Sequence, residues 1–316
     1  MEHSIWEWVG FGIFILIMLS IDLGLFNRKS HAIGYKEAGI WSSVWVTLAL
    51  LFAGGIYWFQ GQEKALEFVA GYIVELSLSV DNLFVFLLVF SYFKVPSEYQ
   101  HRVLFWGVLG ALVMRITMIL VGAALIDRFE WIIYVFGAFL VYTGFKMLRQ
   151  DDAEVNPEEN AAVRFVTRFV PLVRRYEGSN FFTRTPDGRR VGTLLLLVLV
   201  IVEVTDLVFA VDSIPAIFGI TTDRFIVYTS NVFAILGLRS LYFLLAGVVE
   251  KFHYLKIGLA LVLAFIGTKM LLTAIHVEIP IGISLMVVAL VLAASVVVSL
   301  LWPKAPEAAA KHTGES

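Results

Sequence analysis

The sequence predicts an all-α, polytopic membrane protein of about nine transmembrane helices, organised around an inverted repeat of two three-helix units. Three observations carry this. Of 316 residues, 59% are hydrophobic and 16% charged, against roughly 45–50% and 25% in soluble proteins. The apolar residues fall in separate runs of spanning length between residues 5 and 302. A set of polar residues also recurs in two halves of the chain. One or two soluble cores could not bury so much apolar surface, whereas nine spans of ~20 residues would use ~180 residues, a little over half the chain. A net charge of −2 gives no reason to expect nucleic acid as a partner. The absence of cysteine excludes disulfides, thiolate catalysis and Cys-based metal sites. With six histidines, mostly in predicted loops, any metal would take oxygen ligands, which suit Mg²⁺, Ca²⁺ or Mn²⁺.

The apolar segments lie near 5–26, 39–59, 66–93, 102–126, 130–148, 191–218, 224–248, 254–275 and 278–302. Each must be helical, because a spanning segment satisfies its own backbone hydrogen bonds, and the ten-residue alternation of a barrel strand is absent. The first two make an N-terminal pair, residues 1–65. The first is no signal peptide: it has no basic leader, and Glu2 and Glu7 stand where one would be. The next three form a unit over 66–148, and a second unit covers 191–275. Between them, 149–190 is the long polar connection. In it Val163, Val166, Val170 and Val173 recur at helical spacing beside Arg164, Arg168, Arg174 and Arg175. That pattern predicts an amphipathic helix on an anionic leaflet, interrupted near Pro171. Thr185-Pro186-Asp187-Gly188 has the chemistry to close a small hairpin. Residues 276–316 hold the last helix and a tail.

Orientation follows from the basic residues. With the N-terminus outside, seventeen of the 24 Lys and Arg fall in inner connections, three in outer ones and four within spans. The positive-inside rule therefore places the 149–190 loop and the C-terminus in the cytoplasm.

The repeat is read from polar matches. Gly144-Phe-Lys146-Met-Leu resembles Gly267-Thr-Lys269-Met-Leu, and Asp127-Arg-Phe resembles Glu250-Lys-Phe at the same offset of 123. Leu109-Gly110 and Arg115 match Leu236-Gly237 and Arg239 with a small slip, and Val80-Asp81-Asn82 matches Val211-Asp212-Ser213. Six residues before Asp81 and Asp212 stand Glu75 and Asp206. A unit of three spans, repeated with none between, comes back upside down. That arrangement belongs to transporters that hold substrate near the midplane at the repeat interface.

Five carboxylates lie inside predicted spans: Glu75, Asp81, Glu203, Asp206 and Asp212. Each costs roughly 2.5–3.5 kcal/mol near a helix centre on insertion scales, so each must be paired, protonated or liganded. Only Arg115 and Arg239 lie deep enough to balance them, by structural pairing or as gating groups. The surplus of negative charge suits a divalent cation or transferable protons. Glu75, Ser79 and Asn82 share a helix face, as do Glu203 and Asp206, while Asp81 and Asp212 point elsewhere. Pro215 predicts a kinked or unwound stretch near 209–215, which would turn Asp212 toward Asp206. Ser77, Ser79, Asn82, Thr205, Ser213 and Asn231 could complete an all-oxygen shell. Asp22, near the inner end of the first span, is either an interfacial residue or a vestibule ligand. Lys146 and Lys269 should reach to the interface.

No Walker A sequence and no zincin or intramembrane aspartyl-protease motif is present, so no enzymatic activity is expected and gradients must supply the energy. Glu75-Leu-Ser-Leu-Ser-Val-Asp81-Asn82 and Glu203-Val-Thr-Asp206-Leu-Val-Phe-Ala-Val-Asp212-Ser213-Ile-Pro215-Ala resemble the two signature segments of the TerC family of integral membrane proteins, nearest its Alx-type members. Thr229-Ser-Asn231 through Arg239, and Gly267-Thr-Lys269-Met-Leu, strengthen the likeness over nearly the whole chain. The resemblance implies a bacterial inner-membrane protein of manganese homeostasis, exporting Mn²⁺ as substrate, with no tightly bound cofactor. It also implies Glu75, Asp81, Asp206 and Asp212 as core ligands, with Asn82 and Ser213 adjacent. Chemistry alone leaves Ca²⁺ open, and proton exchange at the same carboxylates is a natural driver. The other reading is a non-transporting membrane factor that senses metal or assists other membrane proteins through the basic loop. A homo-oligomer or membrane-protein partner fits either reading.

Overall fold

A computed structural model of the chain describes residues 4–26, 35–149, 171–173, 175–185, 187–245, 254–277 and 279–302. Among them are nine α-helices: α1 (Ile5–Phe26), α2 (Tyr35–Gln60), α3 (Gln62–Tyr92), α4 (Ser97–Arg128), α5 (Ile132–Arg149), α6 (Leu194–Phe218), α7 (Arg224–Leu245), α8 (Leu255–Leu272) and α9 (Ile281–Leu301). Eight of them are long and apolar enough to cross a membrane, and α1 contributes a shorter apolar stretch over Ile5–Met18. The expected helical bundle of about nine elements is therefore what forms.

Local chemistry sets the joints. The break between α2 and α3 is a single residue, Gly61, at φ +96°, a conformation that favours glycine. Asp223 starts α7: its Oδ1 accepts from the backbone N–H groups of Phe225 and Ile226 at 3.1 and 3.3 Å. Pro96 and Pro280 precede α4 and α9, where a missing N–H costs nothing.

Outward faces are apolar, as a hydrocarbon solvent allows: Trp58, Phe59, Val208 and Leu290 are all largely exposed. The most enclosed helix is α7, with 89% of its apolar window buried. It packs against α2, α3 and α4. Aromatic residues fasten α1 and α2 to it, including Trp8 on Phe225 and Tyr228, and Phe52 on Phe233.

Helix pairing follows the repeat. The contact of α3 with α7 is matched by that of α6 with α4; α5 meets α8, α3 meets α6 and α4 meets α7. Exchanging α3, α4, α5 for α6, α7, α8 leaves this set unchanged. The α5–α8 pair shows it at atomic scale. A Cβ at Gly144 would stand 2.6 Å from the Ala260 carbonyl oxygen, and one at Gly137 would stand 2.9 Å from that of Gly267. The offset of 123 carries 137 to 260 and 144 to 267, so the two contacts are images of each other. Rising numbers on α5 meet falling numbers on α8, so the pair is antiparallel.

The described part of the long connection is docked on the bundle. Strands β1 (Phe182–Arg184) and β2 (Arg190–Gly192) form the expected hairpin. Tyr176 donates to the Phe93 carbonyl at 2.8 Å, and Arg102 donates to Ser179 Oγ at 2.9 Å and lies over the Phe181 ring. Arg164, Arg168, Arg174 and the valines up to Val170 lie outside the described residues.

Of the kink or unwound stretch expected near 209–215, the unwinding is absent: α6 is helical without a break from Leu194 to Phe218, with Pro215 inside it. The missing N–H of Pro215 releases only the carbonyl four residues back. Packing of α6 against α3, α4 and α5 holds the turn, and the ladder resumes with Gly219 N–H on Pro215 O. Asp212 is consequently not turned toward Asp206.

Candidate functional site

Four helices meet at one buried centre. The Arg115 guanidinium, from α4, pairs with Glu75 of α3 and lies 3.5 Å from Asp206 of α6. It also donates to Ser213 Oγ of α6 at 3.1 Å and to Asn231 Oδ1 of α7 at 3.3 Å. Asn231 in turn donates to the second Glu75 oxygen at 3.0 Å, and Ser79 lies 3.4 Å from the first. Glu75 is 0%, Arg115 1% and Asp206 3% exposed, so water does not screen these charges. Two acids share one guanidinium, one more acid than it can balance. Glu75 and Asp206 occupy equivalent places in the two repeats, so the repeat interface is where acid meets acid.

Satisfaction is incomplete. Asp206 Oδ2, Asn82 Nδ2 and Arg115 Nε are buried without a hydrogen-bond partner among the described residues. Orphaned buried polar atoms are rare enough to need a reason. For Asp206 a narrow cavity beside the centre supplies one. Glu203, Asp206 and Arg239 line it, with Leu83 and Phe86 of α3 and Gly107 of α4. Its free volume, about 10 Å³ for a water's centre, fits at most one water. Glu203 enters by lying against the α4 backbone: a Cβ at Gly110 would collide with its carboxylate.

Of the sequence-predicted residues, the structure therefore gathers Glu75, Asp206, Ser79, Ser213, Asn231 and Arg115, with Glu203 and Arg239 on the adjoining cavity. Asn82 is buried on the same helix. Asp212 is separate: it accepts from Thr143 of α5 at 3.3 Å and lies within electrostatic reach of Lys146. The side chains of Asp22 and Asp81 lie outside the described residues. Ser77 and Thr205 donate to carbonyls of their own helices rather than to the centre. Among the described residues, no three His, Asp or Glu side chains converge as a metal cage. Of the five acids expected to share a site, Glu75 and Asp206 thus meet across a guanidinium, Glu203 lies on the adjoining cavity, Asp212 stands apart on Thr143, and the Asp81 side chain lies outside the described residues.

Sequence reasoning missed Glu67, Lys64, Thr221 and Asp223. Thr221 donates to Glu67 Oε2 at 2.6 Å, and the Lys64 ammonium bridges Glu67 at 2.9 Å and Asp223 at 3.2 Å. The signal was present: Glu67 stands two steps of four before Glu75, with Gly71 between, so all three share a helix ridge. Gly110 and Thr143 were not legible, since each matters only through the helix packed against it.

The sequence model of the family described as "Integral membrane protein TerC family" matches residues 60–307. An uncharacterized membrane protein of Myxococcus xanthus is 53% identical over 93% of this chain and 92% of its own. The protein Alx of Escherichia coli K12 is 50% identical over 89% of this chain and 90% of its own. The chloroplastic thylakoid membrane protein TERC of Arabidopsis thaliana is 46% identical over 89% of this chain and 73% of its own. No solved structure matches the chain.

Proposed function

Since the chain belongs to the TerC family of integral membrane proteins, we propose that it is a secondary transporter of a divalent metal cation, with Mn²⁺ export from the cytoplasm as its principal activity. One observation carries this: carboxylates from equivalent positions of two repeats meet, fully buried, around a single cation, the Arg115 guanidinium. A bundle needing only stability would not place acids there, because apolar packing serves as well or better. Charge at a repeat interface is where inverted-repeat transporters hold ions.

In this reading Arg115 is the resident counter-charge. A metal ion takes Glu75 and Asp206 when the guanidinium withdraws, with Asn231, Ser213 and Ser79 as neutral oxygen donors and Glu203 as the acid on the approach. Hard oxygen ligands suit Mn²⁺ or Ca²⁺; the family resemblance favours Mn²⁺. Protons leaving or joining the same carboxylates couple transport to the pH gradient. The Alx relatives carry the description of candidate membrane-bound redox modulator. With no cysteine, this chain has no thiol couple of its own, and setting the level of a redox-active metal gives it a route to such an effect.

The test is ⁵⁴Mn²⁺ flux in proteoliposomes. Asp206→Asn should insert and elute like the unaltered protein yet lose at least ten-fold in flux. Unchanged flux in that variant overturns the assignment.

A further inference from the structure

The cavity that reaches the centre lies on one side of it only. Along α3 it begins at Leu83, and along α4 it runs from Leu104 to Ala111, before Arg115. On the other side of Glu75, α3 and α7 are in direct contact, yet the contact is not apolar. From the helix start inward, Glu67 faces Thr221, Gly71 faces Ser230 and Glu75 faces Asn231. Eight residues at 1.5 Å each make this lane ~12 Å long, close to half of a ~30 Å hydrocarbon core.

We propose that this lane is the second access route to the buried centre, closed in this structure. Its gate is the Lys64–Glu67–Thr221–Asp223 cluster, and its cargo is the cation assigned above; only the cargo rests on that functional reading.

Three observations support the route. First, the lane is not simple helix-to-helix glue. Buried Ser230 faces a glycine and donates to Val227 O of its own helix at 3.2 Å; a binding serine would face an acceptor. Second, the lane opens on a partly exposed rim: the Lys64 side chain is 34% exposed, Asp223 13% and Glu67 12%. The Lys64 ammonium sits between the two acids as a tethered cation, and Lys269 of α8 also lies within electrostatic reach of Glu67. Third, the repeat demands a counterpart. The cavity is walled by α6 and α4, with Leu83 and Phe86 of α3 and Leu238 and Arg239 of α7 also on it, and exchange of the repeats turns its α6–α4 wall into the α3–α7 contact. On the cavity side Gly107 and Gly110 make room for Val202 and Glu203; on the lane side Gly71 does so for Ser230. A Cβ at Gly71 would stand 2.9 Å from Ser230 Oγ, so the two helices touch through the lane. A cavity on one half-route facing close packing on its image is the kind of asymmetry that alternating access uses.

The chain has no cysteine, so single cysteines report without a background. Ser230→Cys and Thr221→Cys would be treated with a membrane-impermeant methanethiosulfonate in sealed vesicles, from the face where α3 begins. Val232→Cys, on the same helix and 2% exposed, is the control. Thr221→Cys and Ser230→Cys should react at least ten-fold faster than Val232→Cys. Adding Lys64→Ala, which unties Glu67 from Asp223, should raise the Ser230→Cys rate at least ten-fold more. Equal rates at 230 and 232, with Lys64 and without it, overturn the proposal. Labelling does not depend on transport: fast reaction at 230 in a protein that moves no Mn²⁺ upholds the route and overturns the cargo.

Discussion

Arg115 is the residue on which the centre depends, because removing it leaves Glu75 buried without its ion-pair partner. Breaking a buried pair costs about 3–5 kcal/mol, so Arg115→Gln should lower the unfolding midpoint in detergent sharply, and Glu75→Gln added to it should restore most of the loss. Arg224 pairs with Asp127, but the side chains are 49% and 58% exposed; Asp127→Asn should therefore change stability by less than about 1 kcal/mol. Outside the membrane, burial pushes the Tyr176 hydroxyl up to about 12. Its bond to the Phe93 carbonyl needs the protonated form. Loop docking is thus complete below the ordinary tyrosine value near 10 and weakens as pH rises toward 12. Trypsin cleavage between 175 and 190 should accelerate over that window, and Tyr176→Phe should flatten the change. The acids of the centre were legible because charge in an apolar run is costly wherever it lies. Their partner was not: the sequence offers two deep arginines, and only packing brings Arg115 rather than Arg239 between Glu75 and Asp206.

At the scale of elements, the α5–α8 pair depends on glycines that let backbones touch. Gly144→Leu would drive a side chain into the Ala260 carbonyl and Ala264, and overpacking costs about 1–3 kcal/mol or more. Gly54 on α2 has nothing within 4 Å of its Cβ position, so Gly54→Leu should be nearly neutral; thermal stability of the two variants in detergent checks the contrast. Helix existence and order were legible, since hydrophobic runs of spanning length have one fold available to them in lipid. The hairpin after Pro171 was legible through its turn residues. The unwinding expected at Pro215 was not realised, because a proline near a helix end frees one carbonyl and neighbouring helices keep the turn. That difference matters for the site: it leaves Asp212 beside Thr143, away from Arg115.

For the whole molecule, the repeat unites what the residues and elements show. Its exchange maps the α3–α7 lane onto the α6–α4 wall of the cavity, and Glu75 onto Asp206. The inverted order was readable from polar matches and from an odd number of helices. The position of α7 at the heart of the bundle was not, although α7 is less apolar than α6, as burial among protein neighbours permits. The central claim is that the two repeats carry a divalent cation between the two membrane faces through the Glu75–Asp206 centre. ⁵⁴Mn²⁺ uptake by purified protein in liposomes with an imposed pH gradient, with Ca²⁺ as competitor, measures this most directly. Uptake well above protein-free liposomes is expected, lost when the gradient is collapsed and lost in Glu75→Gln. Uptake no greater than in protein-free liposomes, by a protein that remains folded, would contradict it.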